Sequence, residues 1–222
     1  MYAETNGAFD ITIGSLLDCW RNEDGSPASP SQEELDLARR HTGTGLLTLD
    51  EVEHTVELLA APVQIDLGGI GKGYAVDRMA ELLGEWSVET ALISGGYSSV
   101  LALDAPAGMK GWPLTLSDPC NRKQILARPC LQGQAVSGSG LQKGGHIIDP
   151  RTARPVKGKR AAWACAPDAA TADALSTAFM VMTPDEVKKY CLCHPDVQAM
   201  VILEHESKDP QKDKILRFGP WK

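Results

Sequence analysis

The spacing of apolar positions changes several times along this chain, and each change marks an element. Val76, Met79, Ala80 and Leu83 recur at i, i+3, i+4 and i+7, the period of an amphipathic helix. Gly84 follows as a stop signal, so the pattern predicts a helix over Tyr74–Leu83. Ala172, Leu175, Phe179 and Met182 form a second stripe and predict a helix over Thr171–Met182. Thr183-Pro184-Asp185-Glu186 sets a hydroxyl three residues before a carboxylate, with proline between them at the first helical position, so another helix begins there. Glu33–His41 reads as a short helix ending near Gly43. Phe9–Trp20 opens like a strand and turns helical. Short apolar runs predict strands at Leu46–Leu49, Thr55–Leu59, Val63–Leu67, Thr90–Ile93, Ser98–Leu103, Pro113–Leu116, Gln124–Ala127, Ala135–Ser137, Ala161–Ala166 and Gln198–Leu203. Strands and helices do not alternate regularly, which makes the fold class α+β. Residues 1–222 read as one domain, with 205–222 as a charged, mobile tail.

The totals narrow the function classes. A chain of 222 residues can bury a full core without staples. Its net charge of −7 argues against a general nucleic-acid binder, which would carry a basic face. No apolar run reaches the roughly 20 residues of a membrane span. The start, MYAETNGAFD, lacks the basic and apolar regions of a secretory leader. The six cysteines are scattered and form no CxxC pair, so reduced thiols and a cytoplasmic chain are expected.

Four glycines fall within the first eight residues of DLGGIGKGYAVD, Asp66–Asp77. The dinucleotide fingerprint fails, because Tyr74 stands where its third glycine should be. The P-loop fails as well, because Gly73 replaces its hydroxyl and Asp66 its first glycine. A strand running through glycines and a lysine into a helix can still cradle a phosphate on its backbone N–H groups. The same residues would equally serve a turn that packs a helix closely on its neighbours. The residues alone leave both readings open.

Within ATADALSTAFMVM, Ala170–Met182, Asp173 and Thr177 lie four apart and share a helix face. A carboxylate and a hydroxyl one turn apart are hard oxygen donors suited to Mg²⁺ or Ca²⁺. A solvated aspartate beside a threonine bonded back to its own helix is the alternative. In GGHIIDPRTARPV, Gly144–Val156, Asp149-Pro150 and Arg154-Pro155 mark turns at both ends of a short loop, and His146 before it could serve as a base near neutral pH. His41, His54, His194 and His205 read as surface residues.

In this order, GAFDITIGSLLDCW, DLGGIGKGYAVDRMAELL, ISGGYSSVLAL, AVSGSG, HIIDPRTARPV and ADALSTAFMVM resemble the ApbE family, the FAD:protein FMN transferases. The resemblance runs from Gly7 to about Leu203. It implies a T-fold-like arrangement of mixed, largely antiparallel sheets with flanking helices. It also implies a Mg²⁺-dependent enzyme that moves FMN from FAD onto a threonine of a partner protein and releases AMP. By motif, the metal ligands would be Gly71, Asp173 and Thr177. Gly68, Gly69, Lys72, Gly73, Ser139, His146 and Arg151 would contact the flavin nucleotide, and His146 and Asp149 would serve catalysis. Asp149 could also shape its loop, and Lys72 and Arg151 could instead pair with nearby acids. Asp66 and Asp77 would hold the turn and helix.

The chain departs from the family pattern in several places. Family members carry a further segment before GAFD, so this chain is expected to be an N-terminally short form. The usual G-G-D reads Gly95-Gly96-Tyr97, A-T-S-G reads Ser137-Gly138-Ser139-Gly140, and PRTG ends in Ala153. Two further functions remain open at this level: an FAD pyrophosphatase that yields FMN and AMP, and a non-catalytic flavin-binding protein. The family's acceptor motif, D-x-x-[ST]-[GA]-A-T, is missing from the chain, so modification of itself is not expected.

Overall fold

The structure is a computed structural model and describes residues 1–141, 145–207 and 212–221. These residues fall into two compact units. One takes in residues 1–67 and 145–156, and the other 68–141, 157–207 and 212–221. Among the described residues no helix is long and apolar enough to cross a membrane.

The first unit holds α1 (Gly14–Cys19), α2 (Gln32–Arg40), the hairpin of β1 (Leu47–Asp50) and β2 (Thr55–Leu58), and a second pair, β10 (Ile148–Asp149) and β11 (Arg154–Pro155). Leu16, Leu35, Ala38, Ile148 and Ala153 form its core. Ser31 caps α2 reciprocally with Glu34. The strand expected at the start of Phe9–Trp20 is a run of turns instead. Asp10 is buried, and its Oδ1 accepts from Thr12 N at 2.8 Å and Thr12 Oγ1 at 2.6 Å. A side chain that bonds its own backbone two residues on draws the chain out of a ladder. Val63–Leu67 likewise forms no strand, although Asp66 N donates to Ile11 O and Gly14 N to Gln64 O.

The second unit is built on a six-stranded antiparallel sheet in the order β14-β13-β12-β9-β4-β3. Its strands are β3 (Leu92–Ser94), β4 (Ser99–Ala102), β9 (Gln134–Gly140), β12 (Lys159–Ala166), β13 (Gln198–Leu203) and β14 (Lys214–Phe218). Side chains alternate across such a sheet. Ser137 and Ser139 of β9 lie opposite Ala164 and Ala162 of β12 and share the face that meets α4 (Ala169–Val181). Small residues on that face let the helix sit close. Leu175, Phe179 and Met180 of α4 have no exposed surface, and burial of each stabilises the fold by roughly 1.5–3 kcal/mol. Val136, Ala161, Trp163 and Cys165 take the opposite face. Two short ribbons cover it, β5 (Trp112–Pro113) with β8 (Cys130–Leu131) and β6 (Leu116–Ser117) with β7 (Ile125–Ala127).

Three details depart from the sequence reading. The helix expected over Tyr74–Leu83 is α3 (Gly71–Glu85), so Gly71 and Gly73 belong to its first turn. The stretch read as a mobile tail contains β14, which pairs with β13, and Trp221 packs beneath the sheet. Arg160 ties this end down by bridging Asp118 at 2.8 Å and Asp213 at 2.9 Å, all three side chains being largely buried. Third, His194 is half-buried and stacks on Tyr190 with ring centroids 4.1 Å apart. It follows α5 (Pro184–Cys193), whose capping box at Thr183 and Glu186 forms as expected.

Lys159 is buried at 7% exposure. Its Nζ donates to Phe179 O at 3.0 Å, Met180 O at 3.1 Å and Met182 O, the carbonyls that end α4. A cation at a helix C-terminus meets both the orphan carbonyls and the negative end of the dipole.

Candidate functional site

The site grows from the first turns of α3 and α4. Helices α2 and α5 each begin with a capping box and two acidic residues. Helix α3 begins with neither. Ile70 provides no side-chain cap, the first turn holds no acid, and Lys72 stands within it. A helix start of that kind favours an external anion.

Gly73 is buried, and a Cβ built on it would lie 2.1 Å from Ala169 O and 2.5 Å from Ala169 C. Helix α3 can therefore meet the start of α4 backbone to backbone only with glycine here. Asp77, one turn on, accepts from Ala169 N and Ala170 N at 2.8 Å each, and Asp168 accepts from Thr171 N at 2.7 Å. Three N–H groups at the start of α4 are thus engaged by carboxylates, which matches the structural role expected of Asp77.

The close approach sets Asp173 against α3. Asp173 is only 1% exposed. Its Oδ2 accepts from Gly73 N at 3.1 Å and lies 3.4 Å from Lys72 Nζ, which also reaches Gly68 O at 3.3 Å. One turn later, Thr177 Oγ1 lies 3.0 Å from Ser139 Oγ. Ser99 and Ser137 face each other on β4 and β9 with buried hydroxyls that have no partner among the described residues. The arrangement joins a buried carboxylate, a partly exposed ammonium and a strip of hydroxyls. Among the described residues no group of three or more His, Cys, Asp or Glu side chains could hold a metal ion. A cation would therefore rest on Asp173 and neutral oxygens, a donor set for a hard ion rather than zinc.

Of the expected site residues, the second unit brings Lys72, Gly73 and Asp173 together, and links Thr177 to Ser139. Gly71 is the first residue of α3, with Gly68 exposed and Gly69 half-exposed before it. Gly73 has a packing role, and its N–H is taken by Asp173. Lys72 pairs with an acid, the alternative left open for it.

His146, Asp149 and Arg151 belong to the first unit. Arg151 N donates to Asp149 Oδ1 at 2.9 Å, and its guanidinium lies 3.1 Å from the same oxygen and 3.4 Å from Oδ2. Asp149 thus shapes the turn and is paired with Arg151. Ala153, where the family pattern has glycine, takes φ +57° at zero exposure. His146 is half-buried, and Gly144 of its motif lies outside the described residues. Sequence reasoning passed over Ser176, whose hydroxyl is 2.8 Å from Ser139 Oγ. Its signal was the polar spacing at Asp173, Ser176 and Thr177 along an otherwise apolar helix.

The model of the ApbE family matches residues 1–201. The FAD:protein FMN transferase of Escherichia coli (strain K12) is 31% identical over 206 residues, covering 84% of this chain and 57% of that protein. The transferase of the same name from Rhodobacter capsulatus is 30% identical, covering 80% of this chain and 35% of that protein. Among solved structures, the ApbE protein of Thermotoga maritima superposes with a TM-score of 0.82 at 31% identity, over 98% of this chain and 72% of that one. The apo form of Pseudomonas stutzeri flavinyl transferase ApbE also gives 0.82, at 26% identity, over 98% of this chain and 68% of that one. The chain spans little more than half the length of the Escherichia coli relative. With its motifs, its antiparallel sheet and these likenesses in accord, the chain belongs to the ApbE family.

Proposed function

We propose that this chain carries out Mg²⁺-dependent flavin transfer, moving FMN from FAD onto a threonine of a partner protein with release of AMP. One observation carries the reading: Lys72, Asp173 and the acid-free first turn of α3 converge in a family whose relatives are named for this transfer. The acceptor hydroxyl bonds to the phosphorus on the FMN side, the P–O bond to the bridging oxygen breaks, and AMP leaves with that oxygen. The hydroxyl proton passes to a base, and His146 is the side chain we assign to it.

The residues present fit a hard divalent cation. Asp173 is a buried carboxylate that already draws an ammonium to 3.4 Å, and Thr177 adds a neutral oxygen one turn away. Asp173, Thr177 and the carbonyl of Gly71 would hold Mg²⁺. Bound there, Mg²⁺ would offset pyrophosphate charge and stabilise the departing phosphate. Lys72 adds positive charge on the same side, and the Gly71 and Lys72 N–H groups at the start of α3 would serve the phosphate oxygens.

The test is incubation with FAD and Mg²⁺, with and without EDTA and a peptide bearing the family's acceptor motif. AMP and flavin-labelled peptide are both quantified, for the native chain and for Asp173→Ala. Metal-dependent AMP and labelled peptide, both lost in Asp173→Ala, are expected. AMP without labelled peptide would replace transfer by hydrolysis. FAD binding with neither product would make the chain a flavin-binding module.

A further inference from the structure

Three hydroxyls, each with a single proton, stand in a row beside Asp173. Ser176 Oγ lies 2.9 Å from Asp173 O, Ser139 Oγ lies 2.8 Å from Ser176 Oγ, and Thr177 Oγ1 lies 3.0 Å from Ser139 Oγ. A carbonyl oxygen only accepts, so the Ser176 proton must go to Asp173 O. Ser176 then has only lone pairs for Ser139, and Ser139 donates its one proton to Ser176. Ser139 in turn has only lone pairs for Thr177, and Thr177 donates its proton to Ser139. The row has one direction: Thr177 to Ser139 to Ser176 to the Asp173 carbonyl.

We infer that Ser139 and Ser176 are positioning residues that turn the Thr177 proton away and present its lone pairs to the cation. The inference rests on the reading of Asp173 and Thr177 as cation ligands. A hydroxyl whose proton points at a cation repels it, and a free hydroxyl rotates to suit its surroundings. Here burial removes that freedom. Ser176 has no exposed surface, and Ser139 and Thr177 are each partly covered. The anchor is a main-chain carbonyl of α4, the same helix that carries both ligands. Partners that orient ligands in this way commonly change metal affinity by 10- to 100-fold when removed.

The direction of the row makes a demand that simple contact does not. Ser176 touches Ser139 and Asp173 O, and acts on Thr177 only through Ser139. Removing the Ser176 hydroxyl frees the Ser139 proton for Thr177, which then turns its own proton outward. Ser176→Ala should therefore weaken the cation site even though Ser139 still contacts Thr177.

The experiment is Mn²⁺ titration followed by electron paramagnetic resonance, with FAD at saturation. It compares the native chain with Asp173→Ala, Ser139→Ala, Ser139→Thr and Ser176→Ala, and urea unfolding midpoints check their folds. The expected result is Mn²⁺ binding by the native chain and its loss in Asp173→Ala. Affinity should fall on the order of tenfold in both Ser139→Ala and Ser176→Ala, with recovery in Ser139→Thr. Native affinity in either alanine variant, beside loss in Asp173→Ala, would overturn the inference and leave the cation site standing. No Mn²⁺ binding by the native chain, or none of it lost in Asp173→Ala, would overturn the cation site and this inference with it.

Discussion

Gly73→Ala asks whether the glycine stretch serves a ligand alone or also the junction of two helices. On helix propensity, alanine in place of glycine within α3 would stabilise by about 1 kcal/mol. The structure opposes that gain. The new methyl would lie 2.1 Å from Ala169 O, 2.5 Å from Ala169 C and 2.7 Å from Ala170 Cα. All three are backbone atoms and cannot swing aside. Ordinary contact begins near 3.4 Å, so one helix start must retreat by roughly 1.3 Å. Overpacking of this kind costs about 1–3 kcal/mol. The same retreat strains the Gly73 N–H bond to Asp173, and hydrogen bonds to charged groups contribute about 1.5–3 kcal/mol. The balance is a net loss of about 1.5–5 kcal/mol. Gly84→Ala is the control, because it lies in the same helix and its Cβ would meet nothing within 4 Å. It should stabilise by about 0.5–1 kcal/mol. Urea unfolding followed by circular dichroism measures both variants. If Gly73→Ala is as stable as Gly84→Ala, the packing argument is wrong and Gly73 is free to serve a ligand alone.

Lys159→Met keeps most of the stem and removes the donor shared by three carbonyls at the end of α4, so a loss of about 2–4 kcal/mol is expected. An unchanged urea midpoint would show that those carbonyls find other donors. Asp77→Ala exposes two N–H groups at the start of α4 and should destabilise by about 1–2 kcal/mol, with Asp77→Asn recovering part of it. Equal stability of all three proteins would remove Asp77 from that role. Burial pushes the Cys165 and Cys191 thiols up to about 11, and burial, then Glu34 and Asp18, raises that of Cys19. The thiolate is the reactive form, so a raised pKa means less of it at pH 8. Exposed Cys120, Cys130 and Cys193 should react first with a thiol reagent, half-buried Cys19 and Cys191 more slowly, and buried Cys165 only on unfolding. Six equal rates in the native chain would contradict this order.

The elements legible in the sequence are those whose causes are local. The stripe at Val76, Met79, Ala80 and Leu83 and the capping box at Thr183 need only residues within a turn or two, and α3 and α5 follow. The misread elements are those whose apolar and charged pattern points the wrong way. Phe9–Trp20 opens with apolar residues, but Asp10 bonds Thr12 and turns the chain. Lys214 and Arg217 disguise a strand whose Ile215 packs into the core opposite α4.

The site divides in the same way. Asp173 and Thr177 share a helix face by spacing alone, and the ordered motifs were enough to point to the family. What each residue does was decided by tertiary structure. The glycine stretch alone cannot reveal that Gly73 meets Ala169, because the two come together only when α3 and α4 pack. Lys72 and Gly73 reach Asp173 across about a hundred residues of chain. The direction of the Thr177 proton depends on Ser139, a residue of another strand, and on the carbonyl that ends the row. Sequence determined which groups this chain carries and on which faces its helices carry them. Packing alone determined which groups lie within hydrogen-bond distance, because a hydrogen bond needs about 3 Å and sequence spacing sets that distance only within a turn or two of one element.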